Sequence, residues 1–134
     1  MDSTLVDANV ILDVATEDED WVDWSATMLA DAGQRGLLVI NPLIYAEVSA
    51  RYSTVEALDD ALPLDYYTRA ALPWEAAFLA AKCFQAYRRR GGVKRSPLPD
   101  FYIGAHAAVA GMTLLTRDAR RYKTYFPKLR IVAP

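Results

Sequence analysis

Short runs of β-forming residues alternate with longer helical segments along this sequence. Four such runs are rich in branched and apolar side chains, and they lie at residues 3–6, 37–40, 113–115 and 130–132. Capping residues, Gly and Pro help to delimit the helices predicted between them, at residues 9–14, 21–34, 42–52, 55–62, 73–90, 101–110 and 119–125. Alternation of this kind, without internal repeats, predicts an α/β fold with a mainly parallel central sheet.

Length and composition favour one ordinary globular domain. The chain has 134 residues, of which 53% are hydrophobic and 24% are charged, so we treat residues 1–134 as a single domain. Its apolar stretches are interrupted well short of the roughly 20 residues that a membrane span needs, and the acidic start lacks the basic head of a signal peptide. We therefore expect a cytoplasmic protein without membrane contact, in which the lone Cys83 has an apolar role in the core.

The net charge of −2 conceals a strong asymmetry along the chain. Residues 1–81 contain 15 acids and 3 bases, whereas residues 82–134 contain 2 acids and 12 bases. Basic residues near candidate acidic sites suit a polyanionic substrate, and the candidates for phosphate contacts are Arg88, Arg89, Arg90, Lys94, Arg95 and Arg117. For residues 88–90, a solvated helix end whose cations complement the helix dipole is an equally good interpretation.

Four acids lie where predicted strands or helices would present them to one shared pocket. Asp7 follows the first strand, Asp118 follows the strand at 113–115, Asp100 precedes an apolar helix, and Glu47 lies inside the helix that Pro42 opens. Ligand sites of open α/β sheets lie at the carboxyl ends of the strands, so the acids are expected to converge there.

Each acid taken alone has a structural explanation. Asp7, Asp100 and Asp118 are well placed to cap the helices that follow them, and Glu47 could be an ordinary exposed glutamate of an amphipathic helix. The set is more specific than its members, because acids at the ends of buried strands are costly unless they are solvated, paired or bound to a metal. Carboxylate oxygens are the ligands of hard cations, so the sequence predicts a metal site.

Four segments carry these acids in order, at residues 5–13 (LVDANVILD), 44–47 (IYAE), 98–107 (LPDFYIGAHA) and 114–118 (LLTRD). Together they resemble the motifs of PIN-domain ribonucleases, and most closely those of the VapC-type toxins of bacterial toxin–antitoxin pairs. The resemblance covers nearly the whole chain, including the tail at 121–127. It implies a three-layer α/β/α sandwich, a Mg²⁺ or Mn²⁺ site, endonucleolytic cleavage of RNA, and inhibition by a small antitoxin protein; we also expect a homodimer.

The resemblance also assigns roles to individual residues. Asp7, Glu47, Asp100 and Asp118 correspond to the acidic quartet of the family, and Asn9 and Thr116 correspond to its supporting polar positions. We expect Asp7, Glu47 and Asp100 to be metal ligands and Asp118 to be either a ligand or a base beside the metal. Asp13 and His106 are left outside the site, and Gly104 is interpreted as keeping the helix free of bulk near Asp100.

Two alternatives share some of these features. A PIN-like module that binds or matures RNA without a toxin role would carry the same quartet. A receiver or phosphotransfer domain also uses strand-end acids and Mg²⁺, but it expects adjacent acids after the first strand and a lysine after a late strand. This chain has the single Asp7 and then Thr116, Arg117 and Asp118, which disfavours that class.

Overall fold

All five strands of the described chain run parallel in one sheet with the order β3-β2-β1-β4-β5. The structure is a computed structural model that describes residues 2–134. The strands are β1 (Thr4–Val6), β2 (Leu38–Ile40), β3 (Tyr67–Arg69), β4 (Thr113–Leu115) and β5 (Ile131–Val132). The helices are α1 (Ala8–Ala15), α2 (Val22–Arg35), α3 (Pro42–Ser49), α4 (Val55–Ala61), α5 (Trp74–Arg89), α6 (Pro99–Ala110) and α7 (Arg120–Tyr125).

The first strand lies at the centre of the sheet and determines where a ligand crevice can form. β1 pairs with β2 on one side, where Leu5 is opposite Val39, and with β4 on the other, where Val6 is opposite Leu115. After β1 the chain first forms β2 and β3 on one side of it, and it forms β4 on the other side only after α6. The carboxyl ends of β1 and β4 flank the point where the strand order reverses, which is where open parallel sheets bind their ligands.

The central strands are buried on both faces. Every residue of β1 and β2 is buried, and Leu5 and Val6 have no exposed surface. A parallel sheet with both faces covered needs helices above and below it, and the crossover connections between its strands supply them. The predicted α/β/α architecture with a parallel sheet is confirmed.

One strand was not predicted from the sequence, and the pairing of another was left open. β3 was not predicted, because it has only three residues, of which Thr68 and Arg69 are exposed, so it lacks the apolar pattern of a buried strand. Its place at the sheet edge depends on backbone pairing with β2. β5, whose pairing the sequence left open, is parallel to β4.

Helix α6 begins two residues earlier than predicted. Leu98 is its N-cap and Pro99 is its first residue, so Asp100 lies inside the first turn and is not the cap that the sequence also allowed. At the other end, Gly111 adopts the left-handed conformation with φ of 69°, which ends the helix just before β4. Within residues 2–134, no helix combines the length and apolarity needed to cross a bilayer.

Gly104 has a different role from the one expected. A Cβ atom at this buried position would collide with the ring of Phe126, which follows α7. Gly104 therefore allows the close packing of Phe126 on α6, and the expectation that it keeps space for a metal or phosphate was wrong.

We predict that Gly104→Ala destabilises the protein by about 1–3 kcal/mol, because the added methyl group overpacks the contact with Phe126. Gly33→Ala is a matched control on α2, where the new Cβ would meet only a Leu38 methyl group at 3.8 Å. The control should be stabilised by about 0.5–1 kcal/mol, since alanine is the better helix former. Urea denaturation measures both changes, and equal stability of the two variants would contradict the packing role of Gly104.

Candidate functional site

A cleft of about 570 Å³ opens at the carboxyl edge of the sheet, beside the ends of β1 and β4. All four predicted acids line this cleft. Its walls are formed by Asp7, Asn9, Glu47, Tyr87, Asp100, Asp118, Arg120, Arg121, Thr124 and Tyr125. The fold thus brings together acids that lie up to 111 residues apart in the chain.

Asp7 is the most deeply buried of the four acids, with 5% of its surface exposed. Its Oδ1 atom accepts a hydrogen bond of 2.8 Å from the backbone of Ala8, and its Oδ2 atom accepts bonds from the hydroxyls of Thr116 at 2.9 Å and Tyr122 at 3.0 Å. Burial raises the pKa of Asp7, while these three donors act in the opposite direction and the charge of Asp100 adds to the increase. Asp7 therefore caps α1 with one oxygen and joins a polar network with the other.

Asp100 faces Asp7 across the hydroxyl of Tyr122. That hydroxyl lies 3.3 Å from Asp100 Oδ1, and the guanidinium of Arg121 lies 3.3 Å from Asp100 Oδ2. The Asp100 carboxylate is therefore held from two sides by residues of α7.

Glu47 projects from α3, which Asn41 caps and Pro42 opens. Partial desolvation, followed by the charges of Asp7 and Asp100, raises the pKa of Glu47 to about 7. Although Glu47 is an exposed residue, its carboxylate is close enough to the other two acids to be repelled by both. The three carboxylates thus form one electrostatic group.

Asp118 lies at the outer rim of the cleft and is more exposed. Arg120 contacts both of its carboxylate oxygens, at 3.2 and 3.1 Å, and these bonds hold the pKa of Asp118 below its ordinary value. The predicted supporting residues connect this rim with Asp7. Thr116 accepts a bond from the backbone of Asp118 at 3.2 Å and a long bond of 3.4 Å from the Asn9 amide.

The residues predicted to contact phosphate do not line this cleft. Arg88 donates to the backbone oxygens of Gly92 and Lys94, and Arg90 lies over the ring of Tyr125, which is a cleft residue. Arg117 instead forms a bidentate ion pair with the buried Asp13, in which its Nε and Nη2 atoms lie 2.9 and 3.0 Å from the two carboxylate oxygens.

Sequence reasoning left Arg120, Arg121 and Tyr122 out of the candidate site. The two arginines are the basic side chains that line the cleft within residues 2–134. Their signal in the sequence was their place directly after Asp118, at the start of a short helix. Arg120 pairs locally with Asp118, whereas the partners of Arg121 and Tyr122 depend on how α7 packs in the fold, which the sequence does not show.

Asp13 and His106, which the sequence analysis left outside the site, do not line the cleft. Asp13 accepts from Ser25 as well as from Arg117, and it thereby links α1, α2 and the segment after β4. His106 is buried, and burial lowers its pKa, which favours the neutral ring. Its Nδ1 atom lies 3.0 Å from the amide nitrogen of Asn41, whose oxygen accepts from the backbone of Ile44 and so fixes the amide as donor to the ring.

The donors of the cleft fit a hard divalent cation, because they are carboxylate oxygens that repel one another in its absence. In the conformation described for residues 2–134, no three acidic, histidine or cysteine side chains are grouped closely enough to form a finished metal site. In this conformation Asp7 accepts a hydrogen bond from Tyr122, and Asp100 contacts both Tyr122 and Arg121.

Comparison with protein families gives one match that spans most of the chain. The sequence profile of the PIN domain matches residues 4–127. A comparison with curated proteins gives no match.

Several solved structures share the fold at low sequence identity. The structure of VapBC2 from Rickettsia felis, bound to a DNA fragment from its promoter, has a TM-score of 0.75 and 15% identity, with 98% of each chain covered. The structure of VapBC-1 from nontypeable Haemophilus influenzae has a TM-score of 0.73 and 15% identity, covering 98% of this chain and 97% of that one. FitAcB from Neisseria gonorrhoeae has a TM-score of 0.62 and 19% identity, with 96% and 95% covered.

We predict that Glu47 makes the metal-free protein less stable as the pH rises. Its pKa is raised from 4.5 to about 7, so between these values the folded state keeps a proton that the unfolded state has released. The stability linked to this group is therefore fully present below about pH 4.5 and is lost as the pH rises through about 7.

Glu47→Gln removes this titration, so the stability of the variant relative to the wild type should rise over the same pH range. Denaturation of both proteins in EDTA measures the difference, with Glu56→Gln on α4 as the control for loss of an exposed carboxylate. A difference between wild type and Glu47→Gln that stays constant with pH would contradict the raised pKa.

Proposed function

The chain belongs to the PIN domain family, and from this membership we propose that it is a metal-dependent endoribonuclease that acts as the toxin of a toxin–antitoxin pair. One observation carries the proposal: the acids that correspond to the family's quartet line a single cleft at the switch point of the sheet. Grouping carboxylates in one cleft costs the fold free energy through desolvation and mutual repulsion, and such groupings are typical of functional sites.

The proposed cofactor is Mg²⁺ or Mn²⁺, held by Asp7, Glu47 and Asp100, with Asp118 at the rim as a further ligand or as a base. When bound, a divalent cation activates water for attack on a phosphodiester and offsets charge on the scissile phosphate. Thr116 and the backbone of Ala8 orient the Asp7 carboxylate through their hydrogen bonds. Because the pKa of Glu47 is raised to about 7, a cation held here would compete with a proton for this carboxylate.

The proposed substrate is RNA, and its phosphates need cations near the acids. Arg120 and Arg121 line the cleft, and the exposed segment with Arg88, Arg89, Arg90, Lys94 and Arg95 lies beside it through Tyr87 and Tyr125. Neutralisation of Asp100 and Asp118 by a metal ion would leave both cleft arginines available to phosphate. Arg117 is already paired with Asp13, so its proposed phosphate contact has the weakest structural support. The choice of RNA over DNA rests on the family resemblance.

The proposed regulator is a small antitoxin protein. Structures named VapBC2 and VapBC-1 share the fold. A further structure with the fold, from Klebsiella pneumoniae and with 19% identity, is described as a toxin–antitoxin complex. Arginines of this chain already pair with Asp100 and Asp118, which supports inhibition by a partner's basic side chain placed among the acids. We place the apolar part of this contact along residues 42–62. A homodimer and a cytoplasmic location remain predictions.

A PIN-like RNA-processing module without a toxin role is the alternative function. It requires the same cleft, so the geometry does not separate the two. Growth arrest when the chain is expressed alone, relieved by a neighbouring short gene, supports the toxin. Normal growth with specific maturation of one RNA supports the alternative.

We predict that Asp7→Asn and Asp100→Asn each reduce cleavage of total RNA below detection, because each removes a proposed metal ligand. The metal-free variants should stay folded, with thermal stability equal to or above that of the wild type, since each loses a charge from a repelling group. Asp31→Asn, an exposed acid on α2, is the matched control and should cleave normally. Full wild-type cleavage in excess EDTA would refute the metal-dependent mechanism.

We predict that the double variant Arg120→Gln and Arg121→Gln binds RNA less tightly and with a weaker salt dependence. Removal of one phosphate-binding cation should flatten the slope of log K against log salt by about 0.7 for single-stranded RNA. The variants are compared in the Asp7→Asn background, which keeps the RNA intact, and Lys128→Gln tests the loss of a base outside the cleft.

A second double variant, Arg89→Gln with Arg95→Gln, tests the basic segment in the same assay. An unchanged slope for this variant would identify the segment as a solvated helix end. An unchanged slope for the Arg120 and Arg121 variant would remove both residues from the RNA-binding surface.

A further inference from the structure

The Tyr122 hydroxyl lies between two of the proposed metal ligands. It is 3.0 Å from Asp7 Oδ2 and 3.3 Å from Asp100 Oδ1, while only 1% of the Tyr122 residue is exposed. It therefore joins the acid at the end of β1 to the acid in the first turn of α6. Apart from this hydroxyl, the bonds that orient Asp7 come from its own neighbour Ala8 and from Thr116.

Packing fixes the position of this hydroxyl. Phe126 occupies the space left by Gly104 on α6, and the ring of Tyr125 packs edge-on against Phe101, also on α6, with centroids 5.0 Å apart. Helix α7 is thus attached to α6 through two aromatic side chains that follow Tyr122 closely in the chain. The Tyr122 phenol is held by the core and is not free to follow the acids if they move.

The Tyr122 hydroxyl can donate one proton, and two carboxylates lie within hydrogen-bond distance of it. The shorter distance favours donation to Asp7, where Thr116 donates to the same oxygen. A carboxylate with two donors on Oδ2 and one on Oδ1 has little freedom to rotate. Asp100, by contrast, has the longer contact with Tyr122 and a contact with the exposed Arg121, so it is the more adjustable of the two acids.

We propose that Tyr122 is a positioning residue, whose hydroxyl fixes the orientation of Asp7 and its separation from Asp100 and thereby sets the affinity of the cleft for a divalent cation. This inference rests on the proposed metal-dependent function. Hydrogen-bond partners of metal ligands commonly affect metal affinity by about 10–100-fold, although they do not touch the metal.

Tyr122→Phe tests the role of the hydroxyl, because it keeps the buried ring. We expect this variant to bind Mn²⁺ about 10-fold or more weakly than the wild type in a titration followed by electron paramagnetic resonance. Tyr67→Phe is the matched control, since it removes a hydroxyl from another buried tyrosine, on β3, that does not line the cleft. The control should bind Mn²⁺ as the wild type does.

A second measurement separates positioning from structural damage. Raising the Mn²⁺ concentration should restore RNA cleavage by Tyr122→Phe, whereas a misfolded variant would not recover at any concentration. Equal Mn²⁺ affinity of wild type and Tyr122→Phe, or failure of Mn²⁺ to rescue, would overturn the role of Tyr122 and leave the metal site intact. A wild-type protein that binds no Mn²⁺ would overturn both the role and the proposed metal-dependent function.

Discussion

A carboxylate removed from water at the end of the central strand is the constraint on which the rest of the site depends. Asp7 is buried at the carboxyl end of β1, where desolvation and the charge of Asp100 both oppose its ionised form. The structure offsets this cost with three hydrogen-bond donors, from Ala8, Thr116 and Tyr122. These donors belong to the segments after β1 and β4 and to α7, so the stability of one charge requires three separate parts of the chain to be in place.

The distribution of charge along the chain follows the topology of the sheet. The acidic residues 1–81 supply β1, β2 and β3, and the basic residues 82–134 supply β4 and β5. The boundary between these halves therefore lies between β1 and β4, where the cleft opens. Asp7 and Glu47 come from the first half, and both acids of the second half, Asp100 and Asp118, join them there with two arginines. A chain with a net charge of only −2 thus presents both a cation-binding group and cations for a polyanion.

The sequence was sufficient for the strands that carry the site and insufficient for the partners of its side chains. Asp7 and Asp118 were placed correctly at strand ends because burial imposes apolar runs that stop at the edge of the sheet. β3 was not predicted because an exposed edge strand does not need a run of apolar residues. The bonds of Arg117 to Asp13 and of Tyr122 to Asp7 join residues 104 and 115 positions apart, and they arise from helix packing that local pattern does not encode. Gly104 was misinterpreted for the same reason, since its neighbour Phe126 belongs to another segment.

The strands of this sheet are short up to its outer edges, and this limits how the protein can associate. β3 has three residues and β5 has two, so each open edge of the sheet exposes only a few unpaired backbone groups. Edges of this length give little template for a strand of another molecule, which reduces the risk of edge-to-edge aggregation. A partner would therefore recognise this protein through its side chains and not by adding a strand to the sheet, and sequence differences at those side chains can distinguish one partner from another.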